Sequence, residues 1–215
     1  MSLRLKTAPA TEPITLTEAK LFLRVDASTE DDLITTMITA ARQLAEEYTM
    51  RAFITQTWNL WLDHFPSNVR ERWWDGVVTA SEKILQAGQP IIAIPRPPLV
   101  SITHVKTYNI EGTAATFSSS SYTVDTYGQP GRVILNTGSV WPVSLRDNQA
   151  IDVEFVCGYG AASAVPAAIK HAIYIIIANM YECRTSSEIP AGALRLLQPY
   201  KVIEVGVMNQ QRRGS

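Results

Sequence analysis

The 215-residue sequence predicts an α+β protein. N-terminal and C-terminal helices pack together as a helical domain, and a small, mostly antiparallel β domain is inserted between them. Apolar residues recur at three- and four-residue spacing near both ends of the chain, as on amphipathic helices. Short segments rich in β-branched and aromatic residues, separated by turn residues, fill the middle. The predicted parts are an N-terminal helical part at 1–53, an inserted β domain at 54–157, a C-terminal helical part at 158–198 and an extended tail at 199–215.

The first two helices are predicted from the signals at their N-termini. Thr15 and Glu18 have the spacing of a capping box, which predicts a helix over 16–24. Ser28 is followed by three acidic residues, which the helix macrodipole favours in a first turn, and this second helix should end near Arg51. Its apolar stripe consists of Ile34, Met37, Ile38, Ala41, Ala45 and Tyr48, and its opposite, polar face of Thr35, Thr39, Arg42, Glu46 and Glu47.

The middle of the chain is predicted to form short antiparallel strands. In 54–65, apolar and polar residues alternate with the period of two that is typical of a strand. Within 68–88 the pattern is weaker: 73–76 favour a turn and 81–87 favour a single helical turn. The further predicted strands are 91–94, 102–108, 114–117, 122–125, 133–135 and 151–157.

Two more helices are predicted near the C-terminus. Pro166 stands where the start of a helix tolerates proline, because the missing N–H would be unpaired there. The helix that follows is apolar around most of its circumference, so it should be a core helix, a subunit interface, or both. Pro190 begins a last short helix, and Pro199 ends it before an extended tail. The helix that begins at Pro166 has a broad apolar stripe, which consists of Ile169, Ile173, Ile176, Ile177 and Met180.

Composition restricts the class of protein. The formal net charge of -1, from 19 basic and 20 acidic residues, argues against a strongly basic nucleic-acid binder, although one local face could still contact DNA. Residues 1–12 lack the apolar segment of a signal peptide, and no run reaches the roughly 18 apolar residues of a membrane span. We therefore expect a cytoplasmic protein without membrane contact, in which Cys157 and Cys183 act as small buried hydrophobic residues.

The sequence predicts no catalytic residue, no metal site and no cofactor. His64, His104 and His171 lack the spacing of metal ligands. The stretch 158–163 lacks both the nucleophile elbow and the phosphate-binding loop, and its glycines are explained by a strand that turns into a helix. Pairs of adjacent carboxylates, such as those at 46–47, are explained by helix capping or a solvated helix face.

A longer pattern extends over four stretches of the chain. The first two are ITLTEAK and LRVD at 14–26, and EDDLI, AAR, EYT and ITQTW at 30–58. The others are IPRPPL and SI at 94–102, and GYG, VPAAIK and LLQPYK at 158–201. In this order they resemble the head–tail connector (adaptor) proteins of long-tailed bacteriophages and gene transfer agents, sometimes labelled phage DNA-packaging proteins. The resemblance covers nearly the whole chain.

The resemblance implies a structural, non-enzymatic function in a phage or prophage particle. Members form a homo-oligomeric ring of about twelve subunits beneath the portal protein and dock a downstream neck or stopper protein. The isolated protein could remain a monomer until the portal is present. It would be assembled in the bacterial host cytoplasm and end at the head–tail interface of the virion. DNA would pass through the channel without sequence-specific binding, which suits a near-zero net charge because every phosphate contact adds affinity.

The resemblance also suggests two groups of functional residues. The first packs helices together within or between subunits, and the second is an apolar tail that folds on the portal. The packing group is Ile34, Met37, Ile38, Ala41, Ile169, Ile173, Ile176, Ile177 and Met180. The tail group is Tyr200, Val202, Ile203 and Val205.

Two alternatives remain at this point. A stopper or tail-terminator protein would occupy the same particle, but such proteins are mainly β, whereas this chain has helices at both ends. A carbohydrate- or peptide-binding module would instead use the β region and its tryptophans, and it predicts a monomer with a concave aromatic site. An enzyme ranks third because the chain offers no nucleophile, metal cluster or phosphate loop.

Overall fold

A computed structural model describes residues 1–65, 91–183 and 188–202 and confirms the predicted α+β class. The features predicted at 73–76 and 81–87 lie outside these residues. Within them the helices are α1 (Leu16–Leu23), α2 (Asp31–Thr49), α3 (Ala167–Glu182) and α4 (Ala191–Leu197). The strands are β1 (Ser2–Thr7), β2 (Gln56–Leu62), β3 (Ile91–Ile94), β4 (Leu99–Tyr108), β5 (Ala114–Phe117), β6 (Tyr122–Asp125), β7 (Gly131–Leu135) and β8 (Ile151–Cys157).

The strands form two antiparallel sheets. The larger sheet has the order β1-β2-β8-β4-β5, and the smaller has the order β3-β7-β6. Strand β8 is central in the larger sheet, where Val153 pairs with Leu60 of β2 on one side and with Val105 of β4 on the other. These residues belong to a fully buried cluster to which the smaller sheet contributes Ile94 and Val133. The two sheets therefore share one apolar core.

Strand β1 is an element that the sequence-based prediction missed. It pairs antiparallel with β2, with Leu3 opposite Leu60 and Leu5 opposite Trp58. The N-terminal part at 1–53 therefore contributes a strand to the sheet as well as two helices. Most of β1 is exposed, and its charged side chains protect the sheet edge against pairing with other chains.

The helices begin and end close to where the sequence signals place them. Thr15 and Glu18 form the predicted capping box: the Glu18 backbone N–H donates to Thr15 Oγ1 at 3.2 Å, and the Thr15 N–H donates to Glu18 Oε2 at 2.7 Å. The backbone N–H and the hydroxyl of Thr15 both donate to the Glu18 carboxylate, and these two hydrogen bonds hold the pKa of the Glu18 carboxyl below its usual value. Helix α2 begins at Asp31, after the predicted start at Ser28. Helix α4 ends at Leu197 and continues as a 3₁₀ turn, Gln198–Tyr200.

The helices pack into one layer around a second apolar core. Helix α3 is central and packs against α1, α2 and α4. None of the helices in the described part of the chain is long and apolar enough to cross a lipid bilayer. The large, fully buried side chains of this core include Ile14, Ile34, Phe53, Ile169, Ile173, Ile176, Ile177 and Leu197.

The helical layer meets the sheets where residues 51–55 run beside the turn after β8. The Tyr159 N–H donates to Phe53 O at 3.1 Å, and the Thr55 N–H donates to Gly160 O at 3.2 Å. Gly158 has φ +122°, and a Cβ atom there would lie 2.4 Å from Ile54 O. Glycine is therefore required at this crossing, both by the backbone conformation and by the space available.

We predict that Ile176→Ala destabilises the protein by about 2–5 kcal/mol, because it opens a cavity in a core that has no solvent access. The measurement is the free energy of unfolding from urea denaturation. Leu21→Ala is the control: Leu21 is 81% exposed, so the same kind of truncation should change stability by less than about 0.5 kcal/mol. Equal losses in the two variants would contradict the assignment of α3 as the core helix.

Candidate interaction surfaces

The residues predicted to pack helices together lie in one cluster within a single chain. Met37 and Met180 are half-buried at the edge of this cluster. The others are buried at the interface of α2 and α3, namely Ile34, Ile38, Ala41, Ile169, Ile173, Ile176 and Ile177. The sequence left open whether this stripe packs within or between subunits, and in the structure its buried residues pack within one chain.

The polar face of α2 contains a buried ion pair that the sequence pattern assigned to solvent. The residues Arg42 and Glu46 are only 5% and 4% exposed. Arg42 Nη1 donates to Glu46 Oε2 at 2.7 Å, and Arg42 Nε donates to Glu12 Oε2 at 2.6 Å. The expectation of a solvated face was wrong for Arg42 and Glu46, because residues 12 and 53–56 cover this part of the helix, whereas Thr35 and Glu47 are exposed. A helical period alone cannot reveal such a cover.

Glu46 also binds the chain that leads into the sheet. Its Oε1 atom accepts from the Phe53 backbone N–H at 2.7 Å and from Gln56 Nε2 at 2.9 Å. We name this group the Glu46 junction; it consists of Glu12, Arg42, Glu46, Phe53 and Gln56. Since Gln56 is the first residue of β2, the junction connects α2 directly to the larger sheet.

Burial and hydrogen bonding act in opposite directions on the charges of this junction. Burial raises the pKa of the Glu46 carboxyl, and the hydrogen bond from Phe53 together with Arg42 only partly offsets this effect. Burial also disfavours the charge on Arg42, but its hydrogen bonds and ion pairs with Glu12 and Glu46 outweigh burial and raise its pKa. Arg42 therefore stays protonated, and Glu46 is the group whose charge is least well stabilised.

A second polar group lies where the predicted tail begins. Arg51 is 8% exposed; its Nε donates to Tyr200 O, and its Nη2 donates to Gln129 Oε1 at 2.6 Å. The Val202 N–H donates to Thr49 O at 2.9 Å. We name Thr49, Arg51, Tyr200 and Val202 the tail root. Tyr200 and Val202 are thus half-buried against α2, while the predicted tail residues Ile203 and Val205 lie outside the described residues.

The larger sheet has one polar face. Asp152 and Glu154 on β8 are buried there by their neighbours. His104 Nε2 lies 3.4 Å from Asp152 Oδ2, and its Nδ1 lies 3.7 Å from Glu154 Oε2. Lys6 and Asn59 complete the group with hydrogen bonds to the two carboxylates. In the described ranges no cluster of three or more His, Cys, Asp or Glu is arranged to hold a metal ion.

The cysteines differ from each other. Cys157 is a free thiol in the β core, and burial raises its pKa to about 12. Such a thiol is not a nucleophile at neutral pH. Cys183 is also free but exposed, so the expectation that both cysteines are buried was wrong for Cys183. It stands immediately after the last turn of α3, beyond the apolar stripe.

Some large apolar residues remain at the surface. Leu21 and Phe22 point outward from α1, and the Phe22 ring stacks on Tyr174 of α3 with centroids 5.1 Å apart. In the long connection before β8, Val140 and Val143 are also exposed. Between these two valines, Trp141 is stacked on Phe65 at 4.1 Å and is therefore not an exposed anchor. Exposed apolar side chains of this kind are available for contacts with other proteins.

Comparison with known proteins gives a consistent result. Residues 13–126 match the model of a family described as phage gp6-like head-tail connector proteins. No curated protein sequence matches the chain.

Among solved structures, a chain in the neck of an empty gene transfer agent particle, computed with C6 symmetry, is 18% identical with a TM-score of 0.73. A chain in the virion of a native gene transfer agent is 19% identical with the same TM-score of 0.73. A chain in the native neck, computed with C12 symmetry, is 18% identical with a TM-score of 0.64. Each match covers 95% of this chain and 97% of the other, so the fold is shared over nearly the full length.

We predict that Glu46→Ala destabilises the protein by about 3–5 kcal/mol, because it removes a buried partner of Arg42 and the acceptor of the Phe53 N–H. The free energy of unfolding in urea at pH 7 is the measurement. Glu111→Ala, at an exposed turn position, is the matched control and should stay within about 0.5 kcal/mol of the parent. If Glu46→Ala were equally mild, the junction would not hold the two layers together.

The raised pKa of Glu46 also predicts a pH dependence. Between the ordinary carboxyl pKa and the raised one, the folded state binds a proton that the unfolded state has released. The contribution of Glu46 therefore makes stability rise as the pH falls through this window. In Glu46→Gln this contribution should be absent. The free energy of unfolding of the parent minus that of the variant should therefore increase as the pH is lowered from 7 to 5. A difference that is constant or shrinks over that range would rule out the raised pKa.

Proposed function

This chain belongs to the family of phage gp6-like head-tail connector proteins, and from this membership we propose that it forms a ring beneath the portal of a tailed phage or prophage particle. Its function is that of a structural neck protein. The ring would contain about twelve subunits, the number consistent with the C12 symmetry of one similar neck. It would be assembled in the host cytoplasm and would continue the DNA channel towards a downstream neck or stopper protein.

The observation that carries this proposal is the extent of the family match. Residues 13–126 run from the capping segment of α1 through α1 and α2 into both sheets. The match therefore includes Arg42, Glu46, Phe53 and Gln56 of the Glu46 junction and extends well beyond a single motif. No catalytic role is proposed for this chain, because its buried carboxylates and its buried thiol are all explained by structure.

A near-zero net charge supports the role of a conduit. Each Lys or Arg that contacts a phosphate adds affinity by releasing counterions, so a strongly basic channel would retard DNA. With a formal net charge of -1, the protein would let DNA pass without sequence-specific binding.

The segment after the tail root is the part that we assign to the portal. Val202, Ile203 and Val205 are β-branched, and such residues favour an extended conformation against a partner strand or groove. Tyr200 and Val202 would then fix the start of this segment, and Ile203 and Val205 would contact the portal. The tail group thereby divides into an anchored half and a binding half.

We predict that the purified protein binds its cognate portal ring with about one copy per portal subunit. The mass of the complex is measured by native mass spectrometry or light scattering, with each component alone as a control. A variant with residues 203–215 deleted should bind the portal at least about tenfold more weakly than the parent, and it should unfold at the same temperature. A protein that ignores the portal would overturn the connector proposal and favour a binding module. Deletion without loss of affinity would overturn only the role of the tail.

A further inference from the structure

Arg51 stands at the point where three parts of the molecule meet. It follows the left-handed residue Met50, which ends α2 with φ +55°. Its guanidinium donates to Tyr200 O in the last 3₁₀ turn and to Gln129 in the connection between β6 and β7. It also interacts with the side chain of Tyr159, next to the crossing of the two layers. One side chain thus connects the helical layer, the smaller sheet and the start of the tail.

The chemistry of these contacts requires an arginine. The guanidinium is planar and presents several N–H donors in fixed directions, so that it can satisfy acceptors on two different segments at once. A lysine ammonium has the same charge but concentrates its donors on one atom, and it cannot reproduce that geometry. The acceptor at Tyr200 is its backbone carbonyl, so the contact fixes the main chain there independently of the conformation of the Tyr200 side chain.

Two further contacts fix the same stretch of main chain. The Val202 N–H donates to Thr49 O at 2.9 Å, at the C-terminal end of α2. Lys201 Nζ lies 4.8 Å from the centre of the Tyr48 ring, which adds a cation–π attraction to the last turn of the same helix. Three consecutive residues, 200–202, are therefore each held by a residue of 48–51.

We propose that Arg51 is a positioning residue, which fixes the direction in which the chain beyond Val202 leaves the protein and so prepares that segment for its partner. Arg51 need not touch the partner itself. The identity of the partner as a portal rests on the proposed function, whereas the fixed exit direction does not. The physical advantage is preorganisation: a segment whose root is already ordered loses less conformational entropy when it binds.

The first test measures the exit direction without any partner. Spin labels are placed at Gln43→Cys on the exposed face of α2 and at Glu204→Cys, in a Cys183→Ser background, since Cys157 is buried and unreactive. Pulsed electron paramagnetic resonance then gives the distribution of distances between the labels. In the parent we expect one narrow distribution, and in both Arg51→Ala and Arg51→Lys a distribution at least about twofold wider.

Arg195→Ala is the matched control, because Arg195 is an exposed arginine of α4, close to the same 3₁₀ turn. It should leave the distribution narrow. Thermal unfolding of each variant identifies those that are folded, and Arg51→Lys provides the decisive measurement if Arg51→Ala does not fold. A folded Arg51 variant with an unchanged, narrow distribution would overturn the proposal.

The second test measures binding of the same unlabelled proteins to the portal ring. Arg51→Lys should weaken binding roughly tenfold, whereas Arg195→Ala should not change it. A wider distance distribution with unchanged affinity would also overturn the positioning role. If even the parent does not bind the portal, the proposed function fails, and the distance measurement still decides whether Arg51 fixes the exit.

Discussion

The fold depends on one buried carboxylate. Glu46 has almost no contact with solvent, and a charge in that position is costly unless all of its acceptor sites are used. Arg42, the Phe53 N–H and Gln56 satisfy it from three directions. Because these partners belong to α2, to the crossing segment and to β2, the requirement to satisfy one charge fixes how the helical layer sits on the larger sheet. Apolar packing alone would allow the two layers to slide, whereas directional hydrogen bonds do not.

The C-terminal end of α2 concentrates the connections of the molecule. Within a few residues, the chain leaves the helix at Met50, places Arg51 against Tyr200, and buries Ala52 and Phe53 beside the turn after β8. Gly158 makes the close approach at this crossing possible. The tail root therefore lies beside the crossing of the two layers, where the Val202 N–H donates to Thr49 O and the Tyr159 N–H donates to Phe53 O.

This arrangement suits a structural neck protein. The apolar stripe of α3 is buried within one chain, so the chain has a helical core of its own. Apolar residues that remain outside, such as Leu21 and Phe22 on α1, are those that can meet other proteins without any loss from the core. Buried polar groups of the larger sheet also satisfy one another: Asp152 and Glu154 are enclosed by His104, Lys6 and Asn59.

The sequence by itself determined those features whose signal is local. Neighbouring residues specify the capping box at Thr15, the apolar period of α2 and α3, and most strands. Caps and side-chain periods depend on residues only a few positions apart. The family resemblance likewise rests on short stretches in a fixed order. Tertiary structure alone decided the pairing of β1 with β2, the burial of Arg42 and Glu46, and the contact between Arg51 and Tyr200. Each of these depends on what covers a residue from a distant part of the chain. From the sequence, a polar residue such as Glu46 or Arg51 is expected to be solvated. Only the fold shows that Gln56 covers Glu46 and that Tyr200 covers Arg51.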